Sequence, residues 1–392
     1  MKKLLLIAVM SIAASSAMAS VKLLVRSDYM NTPNYSDSSG ATIGGDSVFV
    51  PTVARLYLTG SVGDAVIDSG FNLRAFVPTV ANAGTATDLT KSMTPDSFVE
   101  HLTIAKSYGD WTFTAGKLYM NVGGFERRKM FDGSSYFTAL AVGQTAGSSL
   151  AGTSPRGSAA SFYPAVGSSV TPDNQSGIAA AYNITPDQKL EVQLTNQTNS
   201  QSINDGNASV DKRNSYGLSY NGTFLNKMIQ VLASYNIGAA DTTPAGTTPT
   251  ALVGGQEETF WNAGVRLLPM ENLTVDLEYL SNNDKYSATA SSSSTSSAII
   301  EARYAIGMWT PVLKYENSKD KFLGTEDFDR NAFSVAVELK PNATDAFSYH
   351  AAWVNTADSY KGVTNGNGTN GSNKVTDNTI LVGFTYTGDI VK

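Results

Sequence analysis

The sequence predicts an all-β fold: a transmembrane antiparallel up-and-down β-barrel of about 16 strands. Three observations carry this expectation. Apolar and polar residues alternate with a period of two almost throughout, short and long connections alternate along the chain, and the first residues have the form of an export signal.

Residues 1–19 read as a signal peptide and 20–392 as the barrel. Lys2 and Lys3 give a positive start, Leu4 to Ala13 a short apolar run, and Ala17-Met18-Ala19 a small-x-small cleavage site. No later stretch offers about 18 consecutive apolar residues, so a transmembrane helix is excluded. The formal net charge is −6, and loss of Lys2 and Lys3 makes the remainder more acidic, which argues against nucleic acid as a partner. Charged residues make up 16% of the chain, against roughly 25% in an average soluble domain. Cysteine is absent, which removes disulfides, thiolate metal sites and cysteine nucleophiles. His101 and His350 are too few for a histidine-rich metal centre, and nothing in the sequence calls for a cofactor.

The alternation is explicit in several segments. Leu190, Val192 and Leu194 alternate with Glu191, Gln193 and Thr195. Leu273, Val275, Leu277 and Tyr279 alternate with Thr274, Asp276 and Glu278. Ala298, Ile300, Ala302 and Tyr304 flank Glu301 and Arg303. Each is a strand with one apolar and one polar face. Segments of this kind run over 21–28, 52–62, 70–77, 98–106, 111–117, 177–184, 189–197, 214–223, 228–238, 259–268, 272–281, 297–306, 308–317, 330–339, 345–355 and 378–388. Most approach the 9–11 residues or so that a tilted strand needs to cross a bilayer.

Short connections such as Ser107-Tyr108-Gly109-Asp110 and Thr185-Pro186-Asp187-Gln188 alternate with long ones over 29–51, 78–97, 118–176, 198–213, 239–258, 282–296, 318–329 and 356–377. That order describes a meander with one plain rim and one elaborated rim. Left open, such a sheet would expose two edges and a long apolar face, and closure removes the edges. The apolar phase then meets lipid and the polar phase lines a lumen.

With signal, sixteen strands and eight long loops, the chain resembles the Gram-negative general porins. The longest connection, Leu118 to Ser176, falls where that family carries the third extracellular loop, which folds into the lumen and narrows it. The resemblance implies homotrimers and passive diffusion of ions and small hydrophilic solutes across the outer membrane. The family's Pro-Glu-Phe-Gly-Gly stretch is rearranged here to Gly123-Gly124-Phe125-Glu126, and the chain ends Asp389-Ile390-Val391-Lys392 rather than on an aromatic residue. The length and charge of 118–176 point the same way. Connections so far beyond the usual 2–6 residues or so are generally functional or disordered, and Glu126, Arg127, Arg128, Lys129 and Asp132 keep hydration and partners inside a polar lumen.

Permeation needs a hydrated lumen whose width and lining charge set the barrier for each solute. The expected constriction places Glu126 and Asp132 on the inward loop opposite Arg55 and Arg74, on the polar phases of the second and third segments, and His101 on that of the fourth. Arg127, Arg128 and Lys129 read either as an anion-attracting patch there or as a solvated face paired with Glu126 and Asp132. Further polar-phase charges are Glu191, Arg266, Asp276, Glu278, Glu301, Arg303, Lys314, Glu316 and Glu338.

Outer-phase aromatics crowd the later segments, from Tyr216 and Tyr235 to Tyr349 and Trp353, as headgroup girdles require. Segments two to four present Ala54, Leu56, Leu58, Leu73, Leu102 and Ile104 instead, with Phe71 near an end. A face without interfacial anchors suits contact between copies of the chain, so the expected partners are outer-membrane lipids, solutes and two further protomers. The rival functions are a structural or adhesive barrel and a barrel lipid hydrolase. The hydrolase needs an outward-facing His, and both histidines fall on the lumenal phase.

Overall fold

The computed structural model describes residues 20–36, 42–44, 47–73, 99–119, 124–137, 139–141, 174–196, 214–241, 255–286, 291–322, 326–342, 344–361 and 373–391. In chain order the strands are β1 (Ser20–Ser36), β2 (Thr42–Gly44), β3 (Ser47–Val62), β4 (Ala65–Asn72), β5 (Val99–Tyr108) and β6 (Trp111–Tyr119). A helix, α1 (Gly124–Asp132), precedes β7 (Asn174–Thr185), β8 (Gln188–Asn196), β9 (Asn214–Phe224), β10 (Ile229–Asp241) and β11 (Gly255–Met270). The remainder are β12 (Leu273–Tyr286), β13 (Ser291–Tyr304), β14 (Trp309–Phe322), β15 (Glu326–Leu339), β16 (Phe347–Lys361) and β17 (Asn373–Val391).

The long strands pair antiparallel in sequence order, β1 with β3 and each later strand with the next, and β1 pairs with β17 from Val21↔Val391 to Tyr35↔Asp377, which closes the sheet. The three-residue β2 adds to the end of β1 through Asn34, Tyr35 and Ser36. The barrel therefore has sixteen long strands, as the alternation predicts. Closure leaves no unpaired edge, and it forces residues of one parity inward along each strand.

The side chains follow that parity with the polarity of a water-soluble protein reversed. Leu102 and Ile104 are 51% and 50% exposed, while Lys314 and Glu301 are each 2% exposed. Tyr216, Tyr235, Tyr279, Trp309, Tyr315, Tyr349 and Trp353 stand on the outside. Arg26, Asp28, His101, Asp276, Glu278, Glu316, Arg330 and His350 are buried within. An apolar exterior of this extent is stable in lipid and costly in water.

Three corrections to the sequence reading have a physical cause. The strand expected at 70–77 lies at Ala65–Asn72, because Gly63, at φ +63, lets Gly63-Asp64 turn the chain tightly into β4. Arg74 consequently lies beyond β4 and outside the described residues. The polar tract Ser291–Ser297 and the run after Asn317, expected as loops, are strands in β13 and β14. Above the bilayer both faces of a strand meet water, so the period-two signal vanishes while the ladder continues. The same extension takes Leu118, Tyr119 and residues 174–176 out of the long connection and into β6 and β7.

Candidate functional site

Residues 124–141 of the connection between β6 and β7 run against the inner wall of the barrel. The attachment begins at Gly124, whose φ of +48 favours glycine. A side chain there would collide with the Glu278 carboxylate and Asn262 on β12 and β11. With that space free, Glu278 accepts hydrogen bonds from the backbone N–H of Phe125 at 3.0 Å and of Glu126 at 2.8 Å. A wall carboxylate thus supplies the N-terminal cap of α1, where the helix presents unpaired donors and positive charge.

Charge then fixes the helix along its length. Glu126 is 1% exposed, and its Oε1 lies 2.6 Å from Lys314 Nζ on β14 while accepting from Ala139 N at 3.0 Å. Lys129 Nζ reaches Asp276 on β12 at 2.6 Å and Glu301 on β13 at 3.0 Å. Gly133 ends the helix at φ +73, and Arg26 on β1 donates to Gly133 O at 2.6 Å and Ser135 O at 2.7 Å. Arg303 on β13 donates to Ser134 O and pairs with Glu301 and Glu338.

Beyond the helix, Tyr136 donates to Glu338 on β15 at 2.8 Å. Leu140 N donates to Glu316 at 2.6 Å, and Ala141 N to Ser297 at 3.0 Å. Phe137 packs with Val312, Ala332, Ala336, Ala352, Val354 and Leu381, and Ala139 and Ala141 pack with Phe260, Leu280 and Ile299. The core of the molecule is therefore inside the barrel, built between this segment and one side of the wall. Burial leaves each of these charges dependent on its partner, since stranding one member of a buried pair costs about 3–5 kcal/mol.

The expected site residues divide. Glu126 faces Lys314 rather than Arg55. Arg55 is held by Glu100 on β5 at 2.8 Å, so an acid on its own wall meets it before the loop does. Asp132 is exposed to the lumen, bonds to Ser134 and lies within electrostatic reach of Tyr57 on β3. Arg74 lies outside the described residues. His101 is buried against Asp68, 3.3 Å away, beside the rings of Tyr57 and Tyr119.

The basic run is neither a uniform patch nor a solvated face. Arg127 is 2% exposed with its guanidinium 4.9 Å above the Tyr119 ring, Arg128 is exposed, and Lys129 is consumed by the wall acids. Their environments differ because neighbouring residues on a helix point about 100° apart.

Sequence reasoning assigned Lys314, Asp276, Glu278 and Glu301 to the lumen without seeing them as anchors of the segment, and it passed over Arg26, Asp28, Tyr136 and Phe137. Strand phase tells which face a residue occupies and says nothing of its height. His350 is paired with Asp28 at 2.5 Å and sits beside the Tyr136 ring. Both histidines are thus enclosed by the barrel, on the face away from lipid.

Two groups on the inward segment give its attachment a pH dependence. Burial works against the Lys129 ammonium, but Glu301, Asp276 and Glu126 outweigh it and hold the group above its ordinary value. Burial beside Glu338 likewise raises the Tyr136 phenol. A group raised on folding stabilises the folded form below its unfolded value and loses that contribution as pH climbs through the folded one. The contribution of these two groups should therefore be lost above about pH 10, where free tyrosine and lysine titrate. A conductance that rises above roughly pH 10 is the expected record; no change in that range would assign the anchor to other groups.

No protein-family model matches the chain, and no curated protein sequence matches it. Solved structures do share its fold. The anion-selective porin from Comamonas acidovorans is 11% identical, with a TM-score of 0.61, 95% of this chain and 99% of that one covered. OmpT of Vibrio cholerae, solved in a trimer form, is 12% identical, with a TM-score of 0.58 and coverage of 95% and 99%. The outer membrane channel DcaP of Acinetobacter baumannii is 11% identical, with a TM-score of 0.57 and coverage of 94% and 97%. At these identities the likeness is one of fold. Together with the apolar exterior, it defines a transmembrane β-barrel with the fold that these outer-membrane proteins have.

Proposed function

We propose that the chain is a porin of the general, Gram-negative kind, not an enzyme, forming a water-filled channel for ions and small hydrophilic solutes. The observation that carries this reading is a barrel whose lumen is lined by ionised side chains and entered by residues 124–141, which attach to one side of the wall. A segment pinned along β11–β17 and β1 narrows a lumen; the opposite side, with Arg55, Glu100, Asp68 and His101, remains polar. The narrowest section then lies between Asp132 and Arg128 on the segment and those wall residues, with the rest of 118–176 shaping the same constriction. Planar-bilayer recording of the purified protein tests the reading directly.

In this proposal residues 1–19 are removed on export. The protein assembles as a homotrimer through the aromatic-poor outer face of the second to fourth predicted segments, now β3 to β5. Leu102 and Ile104 are exposed on β5, and Leu56 on β3 lies opposite Phe71 on β4. Replacing Leu56 and Leu73 by Arg should dissociate the oligomer on unheated gels while the monomer keeps its heat-sensitive mobility. An oligomer that survives both changes would place the interface elsewhere.

A further inference from the structure

The described lumen is divided by α1 into two unlike halves. On one side the ion pairs are dense: Lys129 with Asp276 and Glu301, Arg266 with Asp276, Arg303 with Glu301, Lys314 with Glu126, and Arg330 with Asp358, while across the lumen Arg55 pairs with Glu100 and Lys189 with Glu191. On the other side a cavity of about 60 Å³ opens between α1 and the inner wall of β8 to β11. A single water needs roughly 10–15 Å³ of such space, so the cavity admits an ion of several heavy atoms.

Three cations line it: Arg127 and Arg128 from α1, and Lys189 from β8. No carboxylate is among its described lining residues. The nearby acids are accounted for: Glu191 bonds Lys189 at 3.2 Å and accepts from Gln193, and Glu278 caps α1. Arg128 is exposed and has no ion-pair partner among the described residues; Glu278 and Arg266 act on it from further off. The wall opposite offers neutral hydrogen-bonding groups, Ser219, Asn221, Ser234 and Asn262. β9 carries no charged residue, and the one on β10, Asp241, stands at its far end.

The Arg127 guanidinium is oriented by the Tyr119 ring. Planar guanidinium groups bind oxyanions through paired N–H donors, and a lysine adds a mobile point charge. We propose that this cavity binds a small multivalent oxyanion, with Arg127, Arg128 and Lys189 as its cationic ligands and Ser219, Asn221 and Ser234 completing its hydrogen bonds. With the Lys189 charge offset by Glu191, a doubly charged ion such as hydrogen phosphate balances Arg127 and Arg128 better than chloride or acetate does. An ion held here lies at the edge of the constriction and sets the charge that passing solutes meet.

The site lies in the lumen of the proposed channel, but its occupancy can be read without conduction. Inorganic phosphate is titrated onto the purified, full-length folded protein in detergent and followed by phosphorus NMR line width. The expected result is saturable binding, tighter than that of acetate measured by competition. The double variant Arg128→Gln with Lys189→Gln, both exposed positions, should bind phosphate about tenfold more weakly. Arg128→Gln alone should show an intermediate loss, and Lys340→Gln, at a turn remote from the cavity, no loss. Heat-shifted gel mobility verifies that each variant is folded.

Binding that does not saturate, that acetate equals, or that the folded double variant retains in full would overturn the assignment. A protein that conducts without binding phosphate refutes this site and leaves the channel reading standing. Saturable phosphate binding without conductance does the reverse.

Discussion

Lys314→Met should release the inward segment from the wall. Its ammonium, 2% exposed, lies 2.6 Å from both Glu126 Oε1 and Phe137 O, so the substitution strands a buried carboxylate and a buried carbonyl at once. The expected cost to docking is about 3–5 kcal/mol, the range for breaking a buried pair from one side. Open-channel current should become noisier, and trypsin should cut after Arg128 far faster than in the unchanged protein. Adding Glu126→Leu should recover much of the loss, because two apolar residues of similar volume remove the stranded charge. A single variant as quiet and as resistant as the parent would mean that the remaining anchors hold the segment without this pair.

Deleting residues 136–170 should raise single-channel conductance by roughly twofold or more, since the width of the narrowest section controls the current. The deletion removes the Tyr136 bond to Glu338 and the packing of Phe137 against Val312 and Leu381, while α1 and its cap remain. The barrel itself should persist, because its closure rests on the β1–β17 ladder and none of its strands is touched. Heat-shifted mobility with unchanged conductance would show a segment that fills space without narrowing the path.

The architecture was legible in the sequence because a closed barrel repeats one signal sixteen times. An error in one strand leaves the count intact, as the displacement of the third segment to Ala65–Asn72 shows. The apolar alternation continues past Phe71, while the Gly63-Asp64 turn that starts the strand leaves only a short polar mark. Strand ends were less legible: Ser291–Ser297 extends β13 where neither face is apolar, so no hydrophobic period marks it.

The site was legible in its parts and not in its pairings. The phase of each strand places Lys314, Glu278 and Asp276 inside the barrel, but which of them meets Glu126 or Lys129 depends on strand tilt and on the path of the segment. Neither leaves a trace in a local pattern. Glu126 was therefore expected opposite Arg55, whereas Arg55 is satisfied by Glu100, two strands along the same wall. A basic run of three consecutive residues also conceals that a helix sends them in different directions.

The most direct test of the central claim is single-channel recording of the unmodified protein in planar bilayers, with neutral polymers of graded size added to the bath. The account predicts discrete, ohmic conductance steps that small polymers reduce and polymers above a sharp size cutoff leave unchanged, as expected for a hydrated pore with one narrow section. Folded, heat-modifiable protein that inserts and yet passes no current above the bare bilayer would contradict it.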